Sequence, residues 1–442
     1  MSSSTSVTHI SECFIKPPHN HHPSPEGMQP IHFTPFEMFG LNFYYSQKGL
    51  LFAKPPPPEN KDFSITTFLD DLCRSLSAAI THFYPFASRL ATQKQENPPS
   101  YVIYIDPENN PGVKFVYAKA DATVSDILIP ADVPLIVHSF FDLNKAINHD
   151  GHTLPLLSIQ VTELTDGIFI GSSINHMIAD GTFWQFMAAW NEIFRSKEQK
   201  HASISQPPVH RRSEGSNPIT NLPYTHHNQF IERPEQPPLP LTERFFHFSP
   251  SSVSKLKSKA NSEGNTDKIS SLQSVIALIW RCITRVRRLP PDNLTSCSLM
   301  VCNRRIMNPP LSYYYLGSPV QAVRATATKE DLMAHDLGWA ALRLHEAVTN
   351  HDHSKVKETI ESWIRSPVIY TMSQVGDQSG ILVGSSPRFD MYGCEFGLGE
   401  SGGRSKRRRE QDGGVDNVVS GKGGWWEHGC GTLPWVRAYD GY

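Results

Sequence analysis

The 442-residue chain lacks the features that would place it in several specialised classes. Its seven cysteines are odd in number and form no CxxC pair, which argues against a disulfide framework or a structural zinc site. No run of about 18 apolar residues and no apolar leader segment occur, so we expect a cytoplasmic protein with no membrane partner. The 41 basic and 43 acidic residues give a net charge of -2, which offers no electrostatic reason to expect a nucleic-acid partner.

The composition is globular, with 39% hydrophobic residues in a chain too long for one ordinary core. One internal stretch is rich in proline, histidine, serine and asparagine and has no sustained period, which indicates a crossover between two domains. We therefore predict an N-terminal domain over 1–197, a linker over 198–242 and a C-terminal domain over 243–442. We also expect the protein to be a monomer.

Apolar periodicity predicts several elements. They are a helix over 61–83, a hairpin of strands over 156–164 and 168–174, a helix starting at Gly181, a helix over 271–286 and a helix capped by Thr328 that runs to about 349. The glycine-rich tail over 400–442 shows no clear helical or strand period.

One short motif could carry chemistry, the HxxxD pair His176 and Asp180. With 20 histidines about one such match is expected by chance, and the chain has a second in His138 and Asp142. His176 follows an apolar strand and precedes a helix, and Gly181 allows a tight passage between them, so the imidazole is expected at a strand end where binding sites are often built. His138 lies among prolines and phenylalanines, and we interpret it as structural.

A neutral imidazole with an ordinary pKa of about 6.5 can take a proton from a hydroxyl or an amine near pH 7. Asp180 could orient the ring as in a catalytic dyad, or it could hold the turn by pairing with an arginine. No serine nucleophile elbow and no cysteine nucleophile signature accompany the pair. A direct, base-assisted attack therefore fits better than a covalent acyl-enzyme.

Five segments in order, the HxxxD segment among them, resemble the plant BAHD acyltransferases, which transfer acyl groups from coenzyme A thioesters. The segments are LCRSLSAAITHFYPFASRLA (72–91), LPLLSIQVTELTDGIFIGSSINHMIADGTFWQFMAAW (154–190), SLQSVIALIWRCITRVR (271–287), CNRRIMNPPLSYYYLGSPV (302–320) and SSPRFDMYGCEFGLG (385–399).

The resemblance implies an α/β protein with the two-domain, chloramphenicol acetyltransferase-like fold of CoA-dependent acyltransferases, in which mixed sheets are flanked by helices. His176 would be the general base. Asp180, followed by Gly181, would point away from the site and pair with Arg304. Acyl-CoA would be a co-substrate, with no bound cofactor and no metal.

The sequence departs from the family pattern at several positions. The family's DFGWG is here Glu395-Phe396-Gly397-Leu398-Gly399, a stretch expected to shape the domain. The family's Thr-Ser-Trp aligns with residues 384–386, which leaves a backbone N–H or the Ser386 hydroxyl as the candidate to stabilise the oxyanion. The asparagine of the family's YFGN is Ser318.

Three lysines begin a helix after the crossover and are candidates to bind the CoA phosphates, although a plain solvated face is the commoner arrangement. They are Lys255, Lys257 and Lys259.

The tail beyond residue 399 shows none of the family's pattern, and we expect that a shifted reading frame or a mis-spliced exon replaced it. The predicted function is transfer of an acyl group from an acyl-CoA to a hydroxyl or amine of a small metabolite. The alternative is a catalytically impaired or repurposed relative that only binds small ligands. An ester hydrolase is a third, weaker hypothesis.

Overall fold

The computed structural model describes most of the chain up to residue 398 and two short strands beyond it. The described residues are 6–18, 29–54, 63–196, 203–210, 220–233, 243–244, 246, 248–370, 379–384, 389–390, 393–398 and, as backbone alone, 425–428 and 435–437.

The strands of the described residues are numbered in chain order. They are β1 Val7–Ile15, β2 Ile31–His32, β3 Ser46–Ala53, β4 Arg89–Glu96, β5 Pro99–Asp106, β6 Val113–Ala120, β7 Leu157–Glu163, β8 Gly167–Ile174, β9 Leu294–Cys302, β10 Val320–Thr328, β11 Ile381–Gly384, β12 Trp425–His428 and β13 Trp435–Arg437.

The α-helices are numbered in the same way. They are α1 Pro35–Met38, α2 Ile65–His82, α3 Val124–Leu128, α4 Phe183–Arg195, α5 Pro250–Glu263, α6 Ser271–Val286, α7 Lys329–Ala334, α8 Leu337–Thr349 and α9 His353–Arg365.

A mixed sheet with the order β1-β6-β7-β8-β3-β12 forms the centre of the N-terminal half. β6 and β7 run parallel, whereas β7 and β8 form the predicted antiparallel hairpin. Helices α2 and α4 pack against one face, and a smaller cluster around Phe140 and Phe169 covers the other. Because both faces are covered, β3, β7 and β8 are buried along almost their whole length.

A second mixed sheet, β10-β9-β11-β13, lies in the C-terminal half. Its apolar residues form a separate core with α5, α6 and α8, drawn from residues 260–383. A third, small sheet has the order β2-β5-β4. Two separate cores, each with a mixed sheet and helices, are what the predicted α/β class requires.

The helix predicted over 271–286 coincides with α6, and the helix predicted over 61–83 is α2 with ends trimmed by one to four residues. Serine side chains cap both N-termini. Ser270 accepts from the backbone N–H of Gln273, and Ser64 accepts from that of Thr67. These helices were predictable because cap and apolar period agree.

The prediction of one helix from Thr328 to about residue 349 was wrong. Thr328 does cap α7, but the helix ends at Ala334 and α8 begins at Leu337 under an Asp336 cap. Arg281 of α6 explains the interruption, because its guanidinium donates to the backbone carbonyls of Leu332 and Asp336 at 2.6 and 3.0 Å and to that of His335. A cation from another helix therefore satisfies carbonyls that the break leaves free.

The tail shows no clear period in its sequence, yet the structure places two short strands in it. β12 pairs antiparallel with β3 of the first sheet, and β13 pairs antiparallel with β11 of the second. Each tail strand therefore gains its backbone partners from a sheet built mostly by residues far earlier in the chain. Local periodicity does not report such pairing, because the strands are only three or four residues long.

Within the predicted crossover, the described stretches 203–210 and 220–233 contain one short 3₁₀ turn, His227–Gln229, and no longer element. In the part of the chain that the structure describes, no helix has the length and apolar character needed to cross a bilayer.

Candidate functional site

His176 lies in a tight turn that leaves the end of β8. Asn175 shapes this turn, because its Oδ1 accepts from the backbone N–H of Met177 at 3.2 Å. The backbone N–H of His176 donates to Oδ1 of Asn148 at 2.7 Å, and Asn175 Nδ2 donates to the backbone carbonyl of Asn148, also at 2.7 Å. The position of His176 is thus fixed by two buried asparagines, one of them distant in sequence.

The imidazole of His176 is half-buried and is held through Nδ1. Oγ of Ser318 lies 3.2 Å from Nδ1. A hydroxyl can donate or accept, so this contact fits either tautomer of the ring. When the proton is on Nδ1, the lone pair is on Nε2.

Two features lower the pKa of His176 below its usual value. Burial of the ring is the larger cause, and the positive charge of Lys48 is the second. Lys48 lies on β3, opposite Ser172 of β8, with its ammonium 5.9 Å from the ring centre of the buried Trp184. The nearby Asp180 acts in the opposite direction but more weakly. The imidazole is therefore neutral near pH 7, as a general base must be.

Asp180 pairs with Arg304, which follows β9. Arg304 Nη2 donates to Asp180 Oδ1 at 3.0 Å, Nη1 donates to Oδ2, and both side chains are buried. Burial alone would raise the pKa of Asp180, but the charge and hydrogen bonds of Arg304 outweigh it and hold that pKa below its ordinary value.

The same carboxylate organises the start of α4. Asp180 Oδ1 accepts from the backbone N–H of Thr182 at 3.0 Å, and α4 begins at Phe183 rather than at Gly181. The geometry therefore matches the second of the two roles considered for Asp180, in which it holds the turn and does not orient the ring.

The Glu395-Phe396-Gly397 stretch packs on the far end of α4. The buried Phe396 ring lies 4.7 Å, centre to centre, from that of Trp190, and its N–H donates to Asn191 Oδ1 at 2.9 Å. Glu395 pairs with Arg195 at 3.3 Å. A cleft of about 410 Å³ opens beside this stretch, roughly three helical turns from the start of α4 and away from His176.

The remaining predicted site residues lie elsewhere or cannot be placed. Lys255, Lys257 and Lys259 project from the exposed face of α5, and Lys259 pairs with Glu263 at 2.6 Å. Ser386 and Gly399 lie outside the described residues. No group of three or more His, Cys, Asp or Glu side chains that could hold a metal occurs among the residues described.

The second HxxxD pair serves the sheet. Asp142 accepts from the hydroxyl of Ser158 on β7 at 2.6 Å and pairs with Lys114 of β6. His138 lies in a 3₁₀ turn, Leu135–Phe140, whose last residue is in the cluster behind that sheet.

Comparison with known proteins identifies this architecture. The sequence profile described as the Transferase family matches residues 7–419. An uncharacterised acetyltransferase of Arabidopsis thaliana is 34% identical over 404 residues, covering 89% of this chain and 88% of the relative. The BAHD acyltransferase DCR of the same plant is 32% identical, covering 85% and 79%. The chain belongs to the BAHD acyltransferase family.

The fold of this BAHD acyltransferase is also that of a solved structure. Vinorine synthase superposes with a TM-score of 0.66 at 21% sequence identity, over 89% of this chain and 87% of that one. The predicted fold class and the enzyme class implied by the resemblance, an acyl-CoA-dependent acyltransferase, are therefore confirmed.

Sequence reasoning missed Lys48 and Asn148. The sequence does carry a signal for Lys48, because it lies in the largely buried strand β3. A buried charge is costly and therefore marks a residue that affects its neighbours electrostatically. Asn148 lies in a loop 28 residues before His176, and nothing in its local sequence marks it.

Proposed function

We propose that the protein transfers an acyl group from an acyl-CoA thioester to a hydroxyl or amine of a small metabolite, with His176 as general base. The observation that supports this proposal is a His176 ring that lies beside Ser318 through Nδ1 and whose pKa is lowered by burial and by the charge of Lys48. Membership of the BAHD family supplies the reaction class.

In the proposed mechanism, Nε2 of His176 takes the proton of the acceptor's O–H or N–H as the acceptor attacks the thioester carbonyl. The carbonyl electrons move to oxygen and form a tetrahedral oxyanion. Collapse of this intermediate breaks the C–S bond and leaves an ester or amide. The imidazolium then returns its proton to the thiolate, so that free CoA departs and no acyl-enzyme forms.

Asp180 and Arg304 contribute geometry in this mechanism. Their ion pair holds the turn that carries His176 against the residues that follow β9. A pair buried this deeply is lost at high cost if one partner is removed, which suits a rigid support better than a proton carrier.

Further parts of the proposal come from the sequence. Ser386 or a backbone N–H is the candidate to stabilise the oxyanion, and Lys255, Lys257 and Lys259 are the candidates for the CoA phosphates. We also propose a monomeric cytoplasmic enzyme of plant secondary metabolism, with the domain division 1–197, 198–242 and 243–442.

The proposal is tested by thiol release from hydroxycinnamoyl-CoA, acetyl-CoA and malonyl-CoA, each with phenolic and amine acceptors. We expect one thiol per ester or amide formed, only when the acceptor is present, and no mass increase of the protein with acyl-CoA alone. A folded protein that binds CoA without releasing thiol would favour a ligand-binding relative. Ester turnover that needs no thioester would favour a hydrolase.

A further inference from the structure

A buried carboxylate lies behind Ser318, the residue that contacts His176. Glu37 belongs to α1 and is 1% exposed. Its Oε2 accepts from the backbone N–H of Thr34 at 2.8 Å and from the Thr34 hydroxyl, which forms a capping box. The cap uses one carboxylate oxygen.

The other oxygen of Glu37 reaches a loop of the C-terminal half. Oε1 accepts from the hydroxyl of Tyr315 at 3.1 Å and from the backbone N–H of Ser318 at 3.3 Å. Arg304 holds the same loop from its other side, by donating to the carbonyls of Tyr315 and Gly317 at 2.8 and 3.0 Å. The buried carboxylate of Glu37 and the buried guanidinium of Arg304 thus hold residues 315–318 from two sides.

Ser318 in turn contacts the imidazole of His176. Its side chain is buried, and its Oγ lies 3.2 Å from Nδ1 of His176. With the proton on Nδ1, Oγ accepts, and the contact then favours the tautomer that has its lone pair on Nε2. Without the Ser318 hydroxyl, the ring loses a contact that holds Nδ1, and it becomes freer to rotate or to carry its proton on Nε2, which then has no lone pair to accept the acceptor's proton.

We propose that Ser318 and Glu37 are positioning residues for His176: the Ser318 hydroxyl fixes the Nδ1–H tautomer, and the Glu37 carboxylate fixes Ser318. The inference rests on the proposed function for its kinetic consequences. The tautomer itself can be observed without turnover.

The experiment compares Ser318→Ala with Ser318→Thr, which keeps the hydroxyl, and with Ser312→Ala as a matched control. Ser312 lies on the same loop, but its Oγ accepts from the backbone N–H of Tyr314 and is exposed. The protein is labelled with ¹⁵N at histidine, and the His176 signals are assigned by their loss in His176→Ala. Kinetics are measured with the acyl-CoA and acceptor found active in the thiol assay.

We expect Ser318→Ala to lower kcat by about tenfold while KM for acyl-CoA is unchanged. The two ¹⁵N shifts of His176 should move towards each other as the tautomers mix. The Ser318 hydroxyl stabilises the imidazolium by accepting a hydrogen bond from Nδ1–H, so its loss should lower the pKa of His176 and move the acid limb of kcat/KM to lower pH. Lys48 and Asp180, whose charges also act on the ring, are unchanged in this variant. Ser318→Thr should restore most of kcat, and Glu37→Gln should move the ¹⁵N shifts in the same direction by less.

Wild-type kcat and wild-type ¹⁵N shifts in a folded Ser318→Ala protein would overturn the inference. So would equal losses in Ser318→Ala and Ser312→Ala, which would mean that the loop alone matters. Absence of thiol release by the wild-type protein would instead contradict the proposed function, and the tautomer measurement would still test the positioning role.

Discussion

At the residue scale, the proposed catalysis depends on one imidazole that must be neutral and correctly oriented. Burial and the charge of Lys48 lower the pKa of His176, and the Ser318 hydroxyl lies 3.2 Å from its Nδ1. The base form is therefore present above that lowered pKa. Activity should be constant around neutral pH and fall as the pH drops through a value below about 6.5.

Replacement of Lys48 by methionine tests this electrostatic effect. Loss of the positive charge removes a repulsion that disfavours the imidazolium, so the pKa of His176 rises and the acid limb of kcat/KM moves to higher pH. Lys54→Met is the matched control, because Lys54 lies at the other end of β3 and pairs with Glu163 at 3.0 Å. An acid limb unchanged in Lys48→Met, or moved equally in both variants, would contradict the assignment.

Sequence reasoning located part of this residue-scale picture. His176, Asp180 and Arg304 were found because the motif and its flanking strand are local and the family resemblance is specific. The contact between His176 and Ser318 joins positions 142 residues apart. No pattern within one segment reports such a contact. The serine at position 318, where the family has asparagine, was visible in the sequence, but its contact with His176 was not.

At the element scale, the site is a junction of three connections: the turn from β8 to α4, the 3₁₀ turn after β9 and the loop before β10. The Asp180–Arg304 pair joins the first two, and Arg304 also holds the third through its carbonyls. The strand β8 and the helix α4 were predicted from their own periods, whereas β9 and β10 were not predicted. The junction of these elements was not predicted either, because it depends on side chains that satisfy backbone groups of distant segments, as Arg281 does between α7 and α8.

Asp180→Asn is expected to weaken this junction. Arg304 would remain buried without its counter-charge, so the free energy of unfolding should fall by about 3–5 kcal/mol in denaturant titrations at pH 7. Because the pKa of Asp180 is lowered in the folded protein, its stabilisation is present above the unfolded pKa and is lost as the pH falls through the folded value. The difference between the two proteins should therefore shrink in acid.

A control for the junction is Glu358→Gln, which removes an exposed ion pair with Lys355 on α9 and should leave the unfolding midpoint unchanged. A stability loss in Asp180→Asn no larger than that of the control would show that the buried pair does not hold the turn.

At the scale of the whole molecule, two cores are joined by contacts that cross the halves. The core around α2 and α4 includes Leu316, Trp363 and Phe396 from the C-terminal half. In the described tail, β12 extends the first sheet and β13 extends the second. The Transferase family profile extends to residue 419, about 20 positions beyond the last motif that carried the resemblance.

The overall architecture was predictable because the ordered motifs identify the family and the family fixes the fold. The pairing of the tail was not predictable, since it depends on open edges of sheets that only the folded chain provides.

Whether His176 takes the acceptor's proton is tested by measuring kcat/KM for the wild-type protein, His176→Ala and His138→Ala, together with CoA affinity by calorimetry. We expect kcat/KM of His176→Ala to fall by about 10²- to 10⁴-fold, with unchanged CoA affinity and unfolding midpoint. His138→Ala should behave as wild type. Normal turnover by a folded His176→Ala protein would contradict the mechanism.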